Sequence, residues 1–226
     1  MRTAIDVSNY QPRDLSNLIQ SYAPDTVIVR IQLPQEHIPK GYTLSQSSSA
    51  HSWGVEVGAY VWGYGDADPT ETMGVAVEMY ALMGAKGPLW LDCEADIDEE
   101  WVRVAIETGE ALGVTVGIYT GYWWWTKNIS GDYSRLPLWI ADYGVEKPRL
   151  PGGWKKYDWW QWTSEGVDQS IEGEKVDEVK VTDGLNKVWD VKEKLEKAGA
   201  VFPELLEMSK TLFDGVVEIK DGAGLQ

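Results

Sequence analysis

The feature that most constrains this chain is a side-chain parity that repeats from one strand-like segment to the next. Segments rich in β-branched and aromatic residues recur near 2–8, 26–33, 54–64, 87–94, 115–121, 137–144, 157–164 and 176–181, with turn formers between them. Successive residues of a strand face opposite sides. In the first segment Ile5 and Val7 oppose Asp6 and Ser8; in the second Val27, Val29 and Ile31 oppose Ile28, Arg30 and Gln32. In the third Ala59 and Val61 oppose Tyr60, Trp62 and Tyr64, and in the fourth Leu89, Leu91 and Cys93 oppose Trp90, Asp92 and Glu94. An open sheet covered by helices on both sides needs aliphatic residues on both faces. One aliphatic face and one polar or aromatic face fits a closed α/β barrel, with helices outside and a cleft where the interior opens.

Helical patterns alternate with the early strands. Short ones fall at 12–22 and 45–53. A longer one at 69–84 opens on Asp68-Pro69, a capping residue followed by proline at the first helical position. Another, at 97–113, carries Trp101, Ala105, Thr108 and Leu112 at helical spacing and stops at Gly113. Beyond 137 the gaps shorten, so the last three strands are expected to lack full helices. The 226 residues suffice for a compact barrel over 1–181. Residues 182–226 change character and read as a helical tail for attachment or self-association. Its apolar positions include Leu185, Val188, Trp189, Leu195, Leu205, Leu206 and Leu212.

The charge balance excludes some partners. A net charge of −16 is unsuited to nucleic acid, whose phosphates call for a basic surface. No run of about 18 apolar residues marks a membrane span, and the opening residues lack the apolar core of a secretion signal. The lone Cys93 lies in a strand and is expected to be a buried, inert thiol. His37 and His51 form no His/Cys cluster, so neither metal nor other cofactor is expected. The 13 Trp against 2 Phe favour amphipathic surfaces such as those that meet sugar rings, a core built from Trp being the alternative. Tyr122-Trp123-Trp124-Trp125 poses the same choice: a loop stacking on sugars above the cleft, or a plug beneath it.

Leu91-Asp92-Cys93-Glu94 is the strongest local chemical signal. Two-residue spacing puts both carboxylates on one strand face, about 6.6–6.8 Å apart at Cα. The end of a barrel strand is where such folds place their chemistry. Crowded carboxyls cannot all ionise freely, so one keeps its proton toward neutrality and can act as a general acid. Asp6 shares that face by parity. Asp177 opens the segment at 176–181, which would neighbour the first strand in a closed barrel.

With these residues in place, the chain resembles the family 25 glycoside hydrolases, the Chalaropsis-type lysozymes. Ala4-Ile5-Asp6-Val7-Ser8-Asn9-Tyr10-Gln11 is similar to their opening motif, and the D-x-E strand to theirs. Gly117-Ile118-Tyr119-Thr120, Pro137-Leu138-Trp139-Ile140-Ala141, Trp160-Gln161-Trp162-Thr163 and Val176-Asp177 follow in family order. The resemblance implies an irregular TIM-like (β/α)5β3 barrel and N-acetylmuramidase activity on the β-1,4 bonds of bacterial peptidoglycan. It implies Glu94 as general acid and a supporting role for Asp92; their spacing on one strand suits Asp92 to stabilising the substrate's N-acetyl group. Asp6, Tyr60, Trp62, Tyr119, Trp139, Gln161 and Asp177 are then the residues expected to line the substrate cleft. Two departures stand out: Tyr60-Val61-Trp62 where the family often has a Tyr-His pair, and Gln32-Leu33-Pro34-Gln35 where a Gly-rich turn is usual. The expected setting is the bacterial wall, reached by a phage- or prophage-encoded lysin. The alternatives are a non-catalytic glycan-binding or structural module on the same barrel, and hydrolysis of another N-acetylated polymer such as chitin.

Overall fold

A computed structural model of the protein describes residues 1–36 and 41–173. Eight strands close into one barrel in sequence order. They are β1 (Thr3–Val7), β2 (Thr26–Ile31), β3 (Glu56–Trp62), β4 (Leu89–Asp92), β5 (Val116–Gly121), β6 (Leu138–Ala141), β7 (Trp159–Thr163) and β8 (Asp168–Glu172). A helix follows each of the first five: α1 (Ser16–Tyr22), α2 (Tyr42–Ser52), α3 (Pro69–Leu82), α4 (Glu99–Ala111) and α5 (Tyr122–Asn128). This is the (β/α)5β3 order. Strands β1 to β7 run parallel, while β8 lies antiparallel to both β7 and β1.

The closing strand differs from expectation. It lies at Asp168–Glu172 and not over 176–181, and Asp168, not Asp177, stands beside Asp6 in the β1–β8 register. Asp177, the boundary at 181 and the expected tail over 182–226 all lie outside the described residues. The earlier strand is possible because β7 and β8 need only a tight hairpin, with Gly166 at its turn in the left-handed region (φ +83°).

Parity sorts the core as expected. Val27, Val29, Ile31, Val61, Leu89 and Leu91 are buried on the outer face of the strands. The interior is aromatic: Tyr60, Trp90, Tyr119, Trp139 and Trp159 gather there with Ala4, Ile28 and Ala141. Trp139 is the hub. Its ring lies 5.8 Å from Trp90, 6.1 Å from Tyr60 and 4.4 Å from Tyr119, and its indole N–H donates to Ser170 Oγ at 2.9 Å. Edge contacts of this kind add to what burial alone supplies. Bulk on one strand is matched by its absence on the next. Gly117 pairs with Trp90 in register, and a Cβ there would stand 2.5 Å from the Trp90 ring.

The capping signal at Asp68 holds, and Asp98 supplies a second cap that the sequence reading did not name. Asp68 accepts from Thr70 and Glu71 backbone N–H groups at the start of α3, and Asp98 accepts from Trp101 N–H at the start of α4. The buried stripe of α4 is Trp101, Val102, Ala105, Ile106 and Gly109, rotated from the expected one, so Thr108 and Leu112 sit at its edge. Close packing on Val116 and Met73 turns the helix this way: a Cβ at Gly109 would approach them to 2.6 and 2.7 Å. The tryptophan excess is mostly architecture. Trp90, Trp101, Trp124, Trp125, Trp139, Trp154, Trp159 and Trp160 are buried. Among the described residues no helix is long and apolar enough to cross a membrane.

Candidate active site

The carboxyl groups gather where the interior opens beyond the carboxyl ends of the parallel strands. Asp92 is the last residue of β4 and is 2% exposed, with Glu94 two residues on and half-buried. The strand end is pinned on its β5 side: Cys93 N–H donates to Tyr119 O at 2.8 Å and Thr120 Oγ1 donates to Cys93 O at 2.9 Å. Beyond Glu94, the Trp124 indole donates to Ala95 O at 3.1 Å. The carboxylates are thus presented by a braced turn, not by a free loop. Cys93 itself points outward into the core, and burial pushes its thiol well above the usual range, as an inert thiol requires.

Burial dominates the electrostatics. It raises the Glu94 carboxyl to about 7, with the backbone N–H of Gly121 and the neighbouring Tyr119 hydroxyl pulling the other way. Burial also lifts Asp92 well above the carboxylate range, with the Glu94 charge adding to it and Arg30 opposing. One Asp92 oxygen, Oδ1, is buried without a hydrogen-bond partner, which a protonated carboxyl tolerates better than an ionised one. Asp6 and Asp168 form a second pair. Burial and the Asp168 charge push the Asp6 carboxyl well above the usual carboxylate range, while Asp168 is itself raised by burial and drawn down by its hydrogen bond with Asp6. A carboxyl poised near neutrality on a partly open edge, beside other carboxyls raised by burial, can give up a proton to a bound oxygen.

The expected cleft residues divide into two levels. Glu94 and Trp62 are half-buried at the rim. Asp6, Tyr60, Asp92, Tyr119 and Gln161 form the floor beneath them. Gln161 is fully engaged: Nε2 donates to Asp6 Oδ2 at 2.8 Å, and Oε1 accepts from the hydroxyls of Tyr119 at 2.9 Å and Tyr143. Trp139 lies deeper still, 1% exposed with its ring and N–H both committed, so it supports the floor and presents no face to a ligand.

Asp168, Arg30 and Glu36 were missed. Asp168 was visible as a Val-Asp pair one hairpin after Trp160-Gln161-Trp162-Thr163, nearer than the pair at Val176-Asp177. Arg30 is an interior cation of β2, ion-paired with Glu36, donating to Tyr64 Oη at 2.8 Å and stacked 5.4 Å over Trp62. The unusual Gln32–Gln35 segment explains it: the short helical turn Pro34–Glu36 carries Glu36 back toward the mouth, where it also accepts from Leu33 N–H at 2.6 Å. Trp123 is the exposed member of its cluster and leans over Gly121, where a Cβ would lie 2.8 Å from its indole nitrogen and 3.0 Å from Glu94 Oε1.

The chain can now be set beside known proteins. A "Probable GH family 25 lysozyme 3" from Dictyostelium discoideum is 31% identical over 110 residues, 41% of this chain and 22% of that protein. Lysozyme M1 from Streptomyces globisporus is 32% identical over 62 residues, 26% of this chain and 21% of that protein. The matches therefore span less than a quarter of the length of these curated relatives. A solved muramidase from Acremonium alcalophilum superimposes with a TM-score of 0.62 at 21% identity, covering 78% of this chain and 95% of that one, which shows the shared fold. The family model described as glycosyl hydrolases family 25 matches residues 5–171, from the first strand through the eighth. With that match running the whole length of the barrel, the chain belongs to glycosyl hydrolases family 25.

Proposed function

We propose that the protein is an N-acetylmuramidase acting at the bacterial cell wall, with peptidoglycan glycan strands as its substrate. The observation that carries this reading is the Glu94 carboxyl, raised to about 7 by burial at a strand end that opens to the surface. A general acid for glycoside cleavage must hold a proton near neutrality and release it to the leaving oxygen. Glu94 combines partial exposure with a carboxyl raised to about 7. Family membership supplies the substrate class, and the non-catalytic alternative gives no reason to hold a carboxyl in so costly a state.

Asp92 serves in this reading as the support of the substrate's 2-acetamido group, whose oxygen attacks the anomeric carbon. The geometry of a same-strand pair favours this over direct displacement. A nucleophilic carboxylate belongs on the sugar face opposite the acid, at about 5–5.5 Å between carboxyl groups, and inversion needs about 6.5–9.5 Å for a water. Asp6, the other buried acid of the floor, is pushed well above the carboxylate range by burial and the Asp168 charge, which makes it a poor nucleophile. Cleavage then retains configuration. Purified cell walls should lose turbidity with the wild-type protein and keep it with Glu94→Gln, while chitin oligomers remain intact. Walls left uncleaved by folded wild-type protein would remove the reading. NMR that shows the α-anomer released first from a β-linkage would remove the acetamido mechanism.

A further inference from the structure

Gln161 lies two residues of hydrogen bonding away from Glu94, and its connections are those of a regulator of that acid. Its amide oxygen accepts two phenol protons, from Tyr119 at 2.9 Å and from Tyr143, while its amide nitrogen is fixed on Asp6 Oδ2 at 2.8 Å. The anchoring on Asp6 decides which end of the amide faces the tyrosines. The Tyr119 hydroxyl is also among the groups that draw the Glu94 carboxyl down against burial. A phenol has a single proton to donate. Tyr119 can therefore satisfy Gln161 or an ionised Glu94, not both. Its ring cannot drift between other positions, because it is packed 4.4 Å from Trp139.

We propose, building on the muramidase reading, that Gln161 is a positioning residue that competes with Glu94 for the Tyr119 proton and so sets the pH at which Glu94 gives up its own. While Glu94 is protonated, Tyr119 donates to Gln161. Once Glu94 has delivered its proton to the leaving oxygen, the Tyr119 O–H turns to the new carboxylate, and Gln161 keeps Tyr143 as its donor. No bond other than these hydrogen bonds changes, and the Tyr119 proton stays on its own oxygen throughout. Tyr143 tunes the competition from the rim, being half exposed and sharing the same acceptor atom.

The test reads the Glu94 carboxyl directly by ¹³C NMR of glutamate-labelled full-length protein, the signal being assigned by its loss in Glu94→Gln. Gln161→Leu removes the competitor and should lower the Glu94 titration midpoint by about one pH unit, as expected for a hydrogen bond to a charged group. Tyr119→Phe removes the donor and should raise it by a similar amount. Tyr143→Phe leaves Gln161 free to hold Tyr119 more firmly and should raise it less. In the Tyr119→Phe background, Gln161→Leu should shift nothing, and the alkaline limb of kcat/KM on cell walls should follow each midpoint. A Gln161→Leu midpoint equal to or above wild type overturns the proposal, as does a Gln161→Leu shift that survives in Tyr119→Phe. Should Gln161→Leu fail to fold, an unchanged or lowered midpoint in Tyr143→Phe overturns it instead. Wild-type protein that leaves walls intact would overturn the muramidase reading alone, because the NMR titration needs no turnover.

Discussion

At the residue scale, the proposed chemistry turns on how closely neighbours approach Glu94. Replacing Glu94 by Gln keeps the shape and removes the proton, so wall cleavage should fall by about 10²–10⁴-fold or more with unchanged circular dichroism. Near-normal turnover in that variant would end the assignment. Gly121→Ala tests the same acid from outside. Its φ of −78° suits alanine, so the backbone is not strained, but the new methyl would meet Glu94 Oε1 at 3.0 Å and Trp123 Nε1 at 2.8 Å. Both side chains must move. Misplacement of a reacting group costs about 10- to 100-fold, and that is the expected loss in kcat/KM on soluble muropeptides. A fully active Gly121→Ala would mean that Glu94 works from another rotamer. Much of this site is legible in the sequence, because strand parity places Asp6, Asp92 and Glu94 on one face without any tertiary knowledge. Asp168 was hidden by a competing Val-Asp pair. Arg30 was visible by parity, but nothing in the sequence shows that Glu36 returns to meet it.

At the element scale, the strands are legible because their period of two survives in a barrel whose two faces differ in kind. The helix α5 is not. Tyr122–Asn128 reads as an aromatic loop, since Tyr, Trp, Thr and Asn are indifferent helix formers. Tertiary contacts impose the helix: Trp125 packs edge-on against Trp154 at 5.2 Å and Tyr133 at 5.5 Å, while Trp124 braces the turn after Glu94. The same cluster thus supplies a plug, a brace and one exposed face, Trp123. The element most sensitive to added bulk should be β5. Gly117→Ala puts a methyl 2.5 Å from the Trp90 ring, inside a floor with no slack because Trp90 already packs on Trp139. Overpacking of this kind costs about 1–3 kcal/mol. Chemical denaturation should show a lower midpoint with an unchanged slope. A Gly117→Ala protein as stable as wild type would show that the aromatic interior can shift as a unit.

At the scale of the whole molecule, the acids fall into two opposed groups, and the sign of each decides how stability depends on pH. Asp14, Asp25, Glu99, Glu100, Asp132 and Asp142 are held below the usual range, chiefly by hydrogen bonds from Ser16, Thr3, Ser130, Arg103, Ser134 and Arg149 respectively. Their contribution is complete above the unfolded values near 4 and is lost only as pH falls further. Asp6, Asp92, Glu94, Asp158 and Asp168 are raised, each first by burial. Between about pH 4 and their folded values the native state binds more protons than the unfolded chain, so stability falls as pH rises through that window. For Glu94 the window runs from 4.5 to about 7 and represents roughly 3 kcal/mol at its upper end. Self-repulsion of a chain with net charge −16 acts in the same direction. The melting temperature should therefore be higher near pH 5 than at pH 8, although the proposed general acid is poised near neutrality. Glu94→Gln should flatten part of that slope and melt above wild type at pH 8, while losing the proposed activity, because the proposed general acid is held in an unfavourable state. Calorimetry of both proteins between pH 4.5 and 8.5 checks this. A wild-type melting temperature that rises toward pH 8, or a Glu94→Gln protein less stable there than wild type, would show that these carboxyls are better solvated than their burial indicates.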